Sequence, residues 1–176
     1  MLIDLSEVMA TVGRTKDTQV EIGMEKFSFC QGQYAFVKKE PVAVTLVCTG
    51  ERKISISCKT QVSLSVPCSR CLEEVEVPFV IDYEREFDFS DTDQEAKELL
   101  EEAEYIQEHQ LDVEALIAEE LALQFPMQTL CREDCKGICS VCGTNLNTGT
   151  CECDQQGKDP RMLAIQDIFK NFGQTE

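Results

Sequence analysis

The sequence holds a single histidine, no long apolar run and little positive charge, and each shortage closes off a class of function. A catalytic zinc usually draws on histidine or carboxylate ligands and keeps one position open for water. His109 alone, set in an acidic stretch read as helical, is expected to be a plain surface residue. No segment approaches the roughly 18 apolar residues that cross a bilayer, so no membrane association is expected. Met1-Leu-Ile-Asp-Leu-Ser-Glu has neither a basic start nor an apolar stretch, which predicts a cytoplasmic rather than a secreted protein. There is no Walker-type glycine loop, no glycine fingerprint after a strand and no Gly-x-Ser-x-Gly turn, and no base or nucleophile stands out. The expectation is therefore a protein that is not an enzyme.

Lysine and arginine total 16 against 33 acids, for a net charge of −17. Residues 73–120 carry 19 acids and two bases, which accounts for the whole imbalance, whereas residues 126–176 carry seven acids and five bases. An acidic surface repels phosphate, which excludes a general nucleic-acid binder and suits a basic protein partner. The same charge also serves plain solubility, and both readings stand.

What is present is enough for one real core with a small appendage: 176 residues, 43% hydrophobic and 28% charged. From Ile54 to Val66 the residues alternate, with Ile54, Ile56, Cys58, Val62, Leu64 and Val66 in one phase and polar residues in the other. That is the signature of a half-buried antiparallel strand. Val42, Val44, Leu46 and Cys48 alternate likewise, with a turn over Thr49–Lys53, and a third alternation runs from Val75 to Phe89. Residues 20–37 are expected to add one or two more strands. Helical spacing then takes over. Ala96, Leu99, Leu100 and Ala103 form one stripe, and Val113, Leu116, Ile117 and Leu121 form another, with Asp112 as N-cap and Pro126 as the stop. A last helix is expected after Asp159-Pro160.

The predicted fold class is α+β: an antiparallel β-sheet meander with a few helices and a small C-terminal zinc-knuckle module. Its expected parts are a sheet core over 1–125 that includes an acidic helical segment at 90–125, a Cys-rich zinc-binding segment at 126–158, and a helix at 159–176 packing back on the core.

The 11 cysteines, an odd number in a chain without an evident signal peptide, point to metal rather than disulfides. Cys48 and Cys58 fall in phase with strand apolar residues and read as small core hydrophobes, and Cys30 has no assigned role. Cys68-Ser-Arg-Cys71 lies in the connection between two strands, and Cys131, Cys135, Cys139, Cys142, Cys151 and Cys153 follow in the C-terminal segment. A C-x2-C turn sets two sulfurs on one side of an ion, and Cys139-Ser-Val-Cys142-Gly143 is the stronger of the two such turns. One partition groups Cys139 and Cys142 with Cys151 and Cys153, and Cys68 and Cys71 with Cys131 and Cys135, stapling the C-terminal segment to the sheet. The rival uses the C-terminal block alone and leaves Cys68 and Cys71 free. We favour the first, because its ligand count gives two closed, structural zinc sites. A single site, or iron in place of zinc, stays open. Cys135-x3-Cys139-x2-Cys142 also has the spacing of radical iron–sulfur enzymes, but no chain remains for their barrel. A redox role for Cys68 and Cys71 would place the reactive thiolate at a helix N-terminus, whereas the flanks here read as strand.

Val66-Pro-Cys68-Ser-Arg-Cys71-Leu-Glu, taken with Cys135-Lys-Gly-Ile-Cys139-Ser-Val-Cys142-Gly-Thr-Asn-Leu-Asn147, Cys151-Glu-Cys153 and Asp159-Pro-Arg161, resembles the YceD family. The resemblance implies a bacterial cytosolic protein linked to accumulation of large-subunit ribosomal RNA, and it brings no catalytic residues with it. On that reading the acidic segment would hold a basic ribosomal or ribosome-assembly protein, with Lys136, Lys158 and Arg161 available for RNA at one edge. The alternative is a thiol- or zinc-based sensor or metal-handling protein, which requires labile metal or a reactive thiolate.

Overall fold

The computed structural model of the chain describes residues 1–30, 32–90, 98, 100, 103–107 and 109–153. The described part is mostly antiparallel β-structure with two helices. Its elements are β1 (Leu2–Asp4), α1 (Ser6–Met9), β2 (Thr15–Val20), β3 (Lys26–Phe29), β4 (Gly32–Lys39), β5 (Val42–Gly50), β6 (Lys53–Pro67), β7 (Glu74–Asp88), β8 (Ile106–Gln107), β9 (Gln110–Asp112) and α2 (Val113–Gln124).

Strand β6 organises the main sheet. Its alternation puts Ile54, Ile56, Cys58, Val62 and Leu64 wholly out of solvent, and along its full length it pairs with β7, from Lys53↔Asp88 to Pro67↔Glu74. Its other edge is shared. Lys53–Lys59 pair with β5, and Val62–Ser65 pair with β4. The arrangement therefore departs from a simple meander, because β4 and β5 are consecutive in sequence yet lie along the same edge of one strand. Length explains it. A 15-residue strand outruns its nine-residue neighbour, and the leftover edge has to be covered. The change of lane falls at Glu40-Pro41. The Glu40 amide donates to the Gln61 carbonyl at 3.0 Å, the Thr60 hydroxyl donates to the Glu40 carbonyl at 2.9 Å, and Pro41 has no N–H to carry the ladder on. β2 flanks β5 and β3 flanks β4, giving the order β2-β5-β6-β4-β3 with β7 on β6. The turn between β5 and β6 is tighter than the sequence suggests. Thr49 and Gly50 stay in β5, and Arg52 takes a left-handed conformation at φ 61°.

The segment read as helical from residue 90 needs correction. Glu98 and Leu100 are helical, while Ala96 and Leu99 lie outside the described residues. Residues 106–112, however, form the hairpin β8–β9, and β1 pairs with β9 to make a second, three-stranded sheet. Leu111, fully buried between half-exposed or exposed neighbours, supplies the period-2 signal, but two short strands give it little room to show. His109 sits at the turn with φ 65°, a conformation that histidine tolerates better than most residues, and its ring stacks on Phe89 at 5.3 Å.

α2 begins where Asp112 caps it. The Asp112 carboxylate accepts from the amides of Glu114 at 3.0 Å and Ala115 at 3.4 Å. The helix ends where Phe125 turns extended ahead of Pro126, as residues preceding proline do. Leu116, Ile117 and Leu121 are fully buried in the core that β5, β6 and β7 line. Asp112→Ala is expected to cost about 1 kcal/mol, the usual value of an N-cap, read as a lower urea midpoint at unchanged slope. Gly23 ties the segment before β3 to the start of α2, and a side chain there would require the Glu114 carboxylate to shift. Its amide donates to Glu114 Oε1 at 2.6 Å, and a Cβ there would stand 2.9 Å from the same oxygen.

The chain divides into two compact units. One comprises Met1–Cys68 and Glu74–Thr129, the other Ser69–Glu73 and Leu130–Glu176. The short connection after Cys68, expected in the sheet core, thus groups with the C-terminal segment. The helix expected at 159–176 lies outside the described residues, as do Lys158 and Arg161. No described helix is long and apolar enough to cross a membrane.

Candidate metal centres

The second unit has an unusual interior. Among its described residues, the only buried apolar side chains are Cys71, Cys135 and Cys139. Leu72, Ile138 and Val141 are exposed at 62%, 38% and 66%. The described part of the unit is held by hydrogen bonds and by the approach of its sulfurs.

Those sulfurs form two groups, Cys68, Cys71, Cys131 and Cys135 in one and Cys139, Cys142, Cys151 and Cys153 in the other, with the ligand atoms of each group all within 4.8 Å of one another. We call them the inner and outer centres. Zinc–thiolate bonds of about 2.3 Å place tetrahedral sulfurs roughly 3.8 Å apart, and Cys71 and Cys131 stand 3.5 Å apart. Four thiols so close, with no fifth Cys, His, Asp or Glu in either group among the described residues, fit a closed four-coordinate ion.

The backbone builds each centre from a C-x2-C turn followed by a left-handed residue. Gly143, after Cys142, has φ 73°, and Leu72, after Cys71, has φ 62°. The turn at the outer centre is closed by the Gly143 amide donating to the Cys139 carbonyl at 2.9 Å and the Cys139 amide to the Thr144 carbonyl at 2.8 Å. The Val141 amide points to Cys139 Sγ at 3.4 Å, the kind of N–H that supports a thiolate.

At the inner centre, Gly137 has φ 77°, and an added Cβ would meet the Arg70 carbonyl at 3.0 Å. That approach lets the Ile138 amide donate to the Arg70 carbonyl at 3.0 Å while the Arg70 guanidinium donates to the Cys135 carbonyl at 2.9 Å. Gly143→Ala is expected to cost about 1–2 kcal/mol from the left-handed backbone alone, since nothing lies within 4 Å of its Cβ. Gly137→Ala should cost more, and chelator titrations of the two variants would show that order as lower midpoints.

Four polar residues that the sequence reading passed over complete the frame. Asn147 donates its amide to Cys135 Sγ at 3.3 Å and accepts the Lys136 amide at 2.8 Å. Asn145 accepts the Asn147 amide at 2.9 Å and donates to Glu73 at 2.8 Å. Together with Arg70 and Glu73 they tie the Ser69–Glu73 connection to the segment around Cys135. An Asn-x-Asn pair inside a Cys-rich loop is a recognisable turn signal, but which sulfur and which carboxylate it serves depends on the folded backbone.

The same contacts set the charge on sulfur. The Asn147 amide holds the Cys135 thiol below its ordinary range. The Thr144 hydroxyl, then its amide, brings Cys142 down to about 6, while the hydrogen bond that Cys153 donates to Cys142 pushes Cys153 up to about 12. A thiolate and a protonated thiol side by side are a donor set that a divalent cation would convert to thiolates. Cys48 and Cys58 stand apart, buried in the sheet core, and burial pushes Cys58 up to about 12. Cys30 is exposed, at the turn between β3 and β4.

The family described as Large ribosomal RNA subunit accumulation protein YceD matches residues 56–169, well over half of the chain. The uncharacterized protein YlbN of Bacillus subtilis (strain 168) is 27% identical over 120 residues, covering 68% of this chain and 68% of its own. The chloroplastic Large ribosomal RNA subunit accumulation protein YCED homolog 1 of Arabidopsis thaliana is 28% identical over 67 residues, covering 38% of this chain and 21% of that one. No solved structure matches. The family match runs from within β6 through both C-x2-C turns and past Cys153, so the residues that build the two centres lie inside it, and the chain belongs to the YceD family.

Proposed function

We propose that this chain is a non-catalytic cytoplasmic factor that supports accumulation of large-subunit ribosomal RNA, acting by binding a basic ribosomal or assembly protein. The family match over 56–169 carries this reading, together with the name of the chloroplast relative. Two structural zinc ions, one on each group of four cysteines, fit the donor sets and would fix a module whose described residues bury no aliphatic side chain.

The outer face of β7 is the surface we assign to the partner. Glu74, Glu76, Asp82, Glu84, Glu86 and Asp88 alternate there, opposite the core-facing Phe79, Ile81, Tyr83 and Phe87. Lys38, Lys53 and Lys59 pair with Glu76, Asp88 and Asp82. Glu74 and Glu86 accept the hydroxyls of Ser65 and Thr49 rather than a lysine, which suits them to a basic ligand. Binding there should weaken with salt as screening shortens toward about 8 Å.

The test is depletion of the protein in its host, with large-subunit rRNA measured against small-subunit rRNA and rescue by the intact gene. A selective, rescued fall in the large-subunit species is expected. An unchanged ratio at normal growth removes the proposal. The second reading, thiol- or metal-handling, is favoured by one observation, the exposure of Cys142 in the outer centre.

A further inference from the structure

We infer that the two centres are unequal in kind: the inner one holds its metal as a permanent part of the fold, and the outer one exchanges soft divalent metal with solution. The inference rests on the reading that both groups of four cysteines bind zinc.

A closed four-thiolate site gives up its ion one sulfur at a time, as a competing ligand takes each vacated position. The rate therefore depends on how many sulfurs a competitor can reach. At the inner centre Cys68, Cys71 and Cys135 are exposed by 0%, 5% and 3%, and only Cys131 is half-exposed. That centre is also bolted from outside. Arg70 bonds the Cys135 carbonyl, Asn147 bonds Cys135 Sγ, and Asn145 holds Glu73 beside Cys71. To free one sulfur, this frame must open first.

The outer centre reverses the proportion. Cys139 alone is buried, at 2%, while Cys151 and Cys153 are half-exposed and Cys142 is exposed. The surroundings of Cys142 are open as well, with Val141 66% exposed and nothing within 4 Å of a Cβ placed on Gly143. Cys151 and Cys153 themselves lie in neither a helix nor a strand. A competing thiolate or chelator can thus approach three of the four sulfurs without prior unfolding. Four thiolates select soft d10 ions, so zinc and cadmium are the cargo this centre takes.

The experiment uses the zinc-loaded full chain. Total zinc is first measured after acid denaturation and should be two per chain. Release is then followed in native buffer with the chromogenic chelator 4-(2-pyridylazo)resorcinol, and in parallel N-ethylmaleimide is added and the alkylated cysteines are mapped by mass spectrometry over time. One equivalent is expected to leave at least tenfold faster than the other, with Cys142, Cys151 and Cys153 alkylated ahead of Cys68, Cys71 and Cys135. Cys142→Ser should abolish the fast equivalent and keep the slow one. Two equivalents leaving at one rate, or Cys68 and Cys71 modified first, overturns the inference while leaving two-zinc binding intact. Fewer than two zinc ions per chain overturns the underlying reading and the inference with it.

Discussion

Replacing Cys135 with serine is expected to remove one metal equivalent per chain and the ordered structure of the second unit with it. The unit's described interior contains cysteines and no buried aliphatic side chain, so among these residues burial of apolar surface offers little to hold the backbone if the sulfurs lose a bound ion. Structural zinc typically supplies about 10–16 kcal/mol of apparent binding free energy to such modules, and that free energy is their folding free energy. Cys135 is also the hub of the local hydrogen bonds, with Asn147 on its sulfur and Arg70 on its carbonyl. Hydrogen exchange should show loss of protection at Ile138 and Leu146, whose amides are bonded to Arg70 and Gly137. The strands β5 and β6 draw on their own core and should keep theirs. Full metal content with unchanged protection in the serine variant would remove the metal from the account of this unit.

Phe125→Ala is expected to destabilise the sheet unit by about 3 kcal/mol, the low end of the range for phenylalanine truncations, because the ring retains some exposure. Phe125 ends α2 and turns its ring into a cluster formed by Phe27 and Phe29 of β3, Tyr34 of β4 and Phe79 of β7, with ring centroids 4.7–6.1 Å away. Removing it opens the contact between the helix end and the β3–β4 hairpin, whose placement on the second half of β6 rests on four residue pairs. A fall in Tm of roughly 6–12 °C would follow for a domain of this size. Leu123→Ala is the control, since that side chain is 74% exposed and should change little. Equal effects in the two variants would mean the aromatic cluster contributes no more than helix propensity.

How far the fold was legible follows the strength of each local signal. β5, β6 and β7 were legible because burial on one face leaves alternation over nine residues or more. α2 was legible at both ends, through Asp112 and Pro126, because caps and stops are short-range chemistry. β2 was not. Thr15–Val20 buries only Val20, and an edge strand with so little apolar content leaves no period to read. β8 and β9 failed for a different reason: two and three residues are too few for a pattern, and the acidic composition around them imitates a helix surface. The split edge of β6 depends on the relative lengths of distant strands, which no window of sequence contains.

The cysteine spacing named the metal-binding chemistry, but spacing alone permits several pairings. The grouping of Cys68 and Cys71 with Cys131 and Cys135, preferred from ligand count alone, is the one in which the sulfurs come together. The supporting asparagines were visible as turn formers and invisible as sulfur ligands' neighbours, because their partners are set by backbone that is itself shaped around the centre.

Strand β1 has a consequence for the chain during synthesis. Leu2, Ile3 and Asp4 pair with Asp112, Leu111 and Gln110, more than a hundred residues downstream. A ribosome moving at about 5–20 residues per second makes that partner roughly 5–20 seconds after the strand itself. Throughout that interval Ile3 and Leu5, which end up buried, lack the strand that pairs with β1. A nascent chain of this protein is therefore a client for whatever shields apolar segments at the ribosome, and slowing translation before residue 112 should lengthen that exposure.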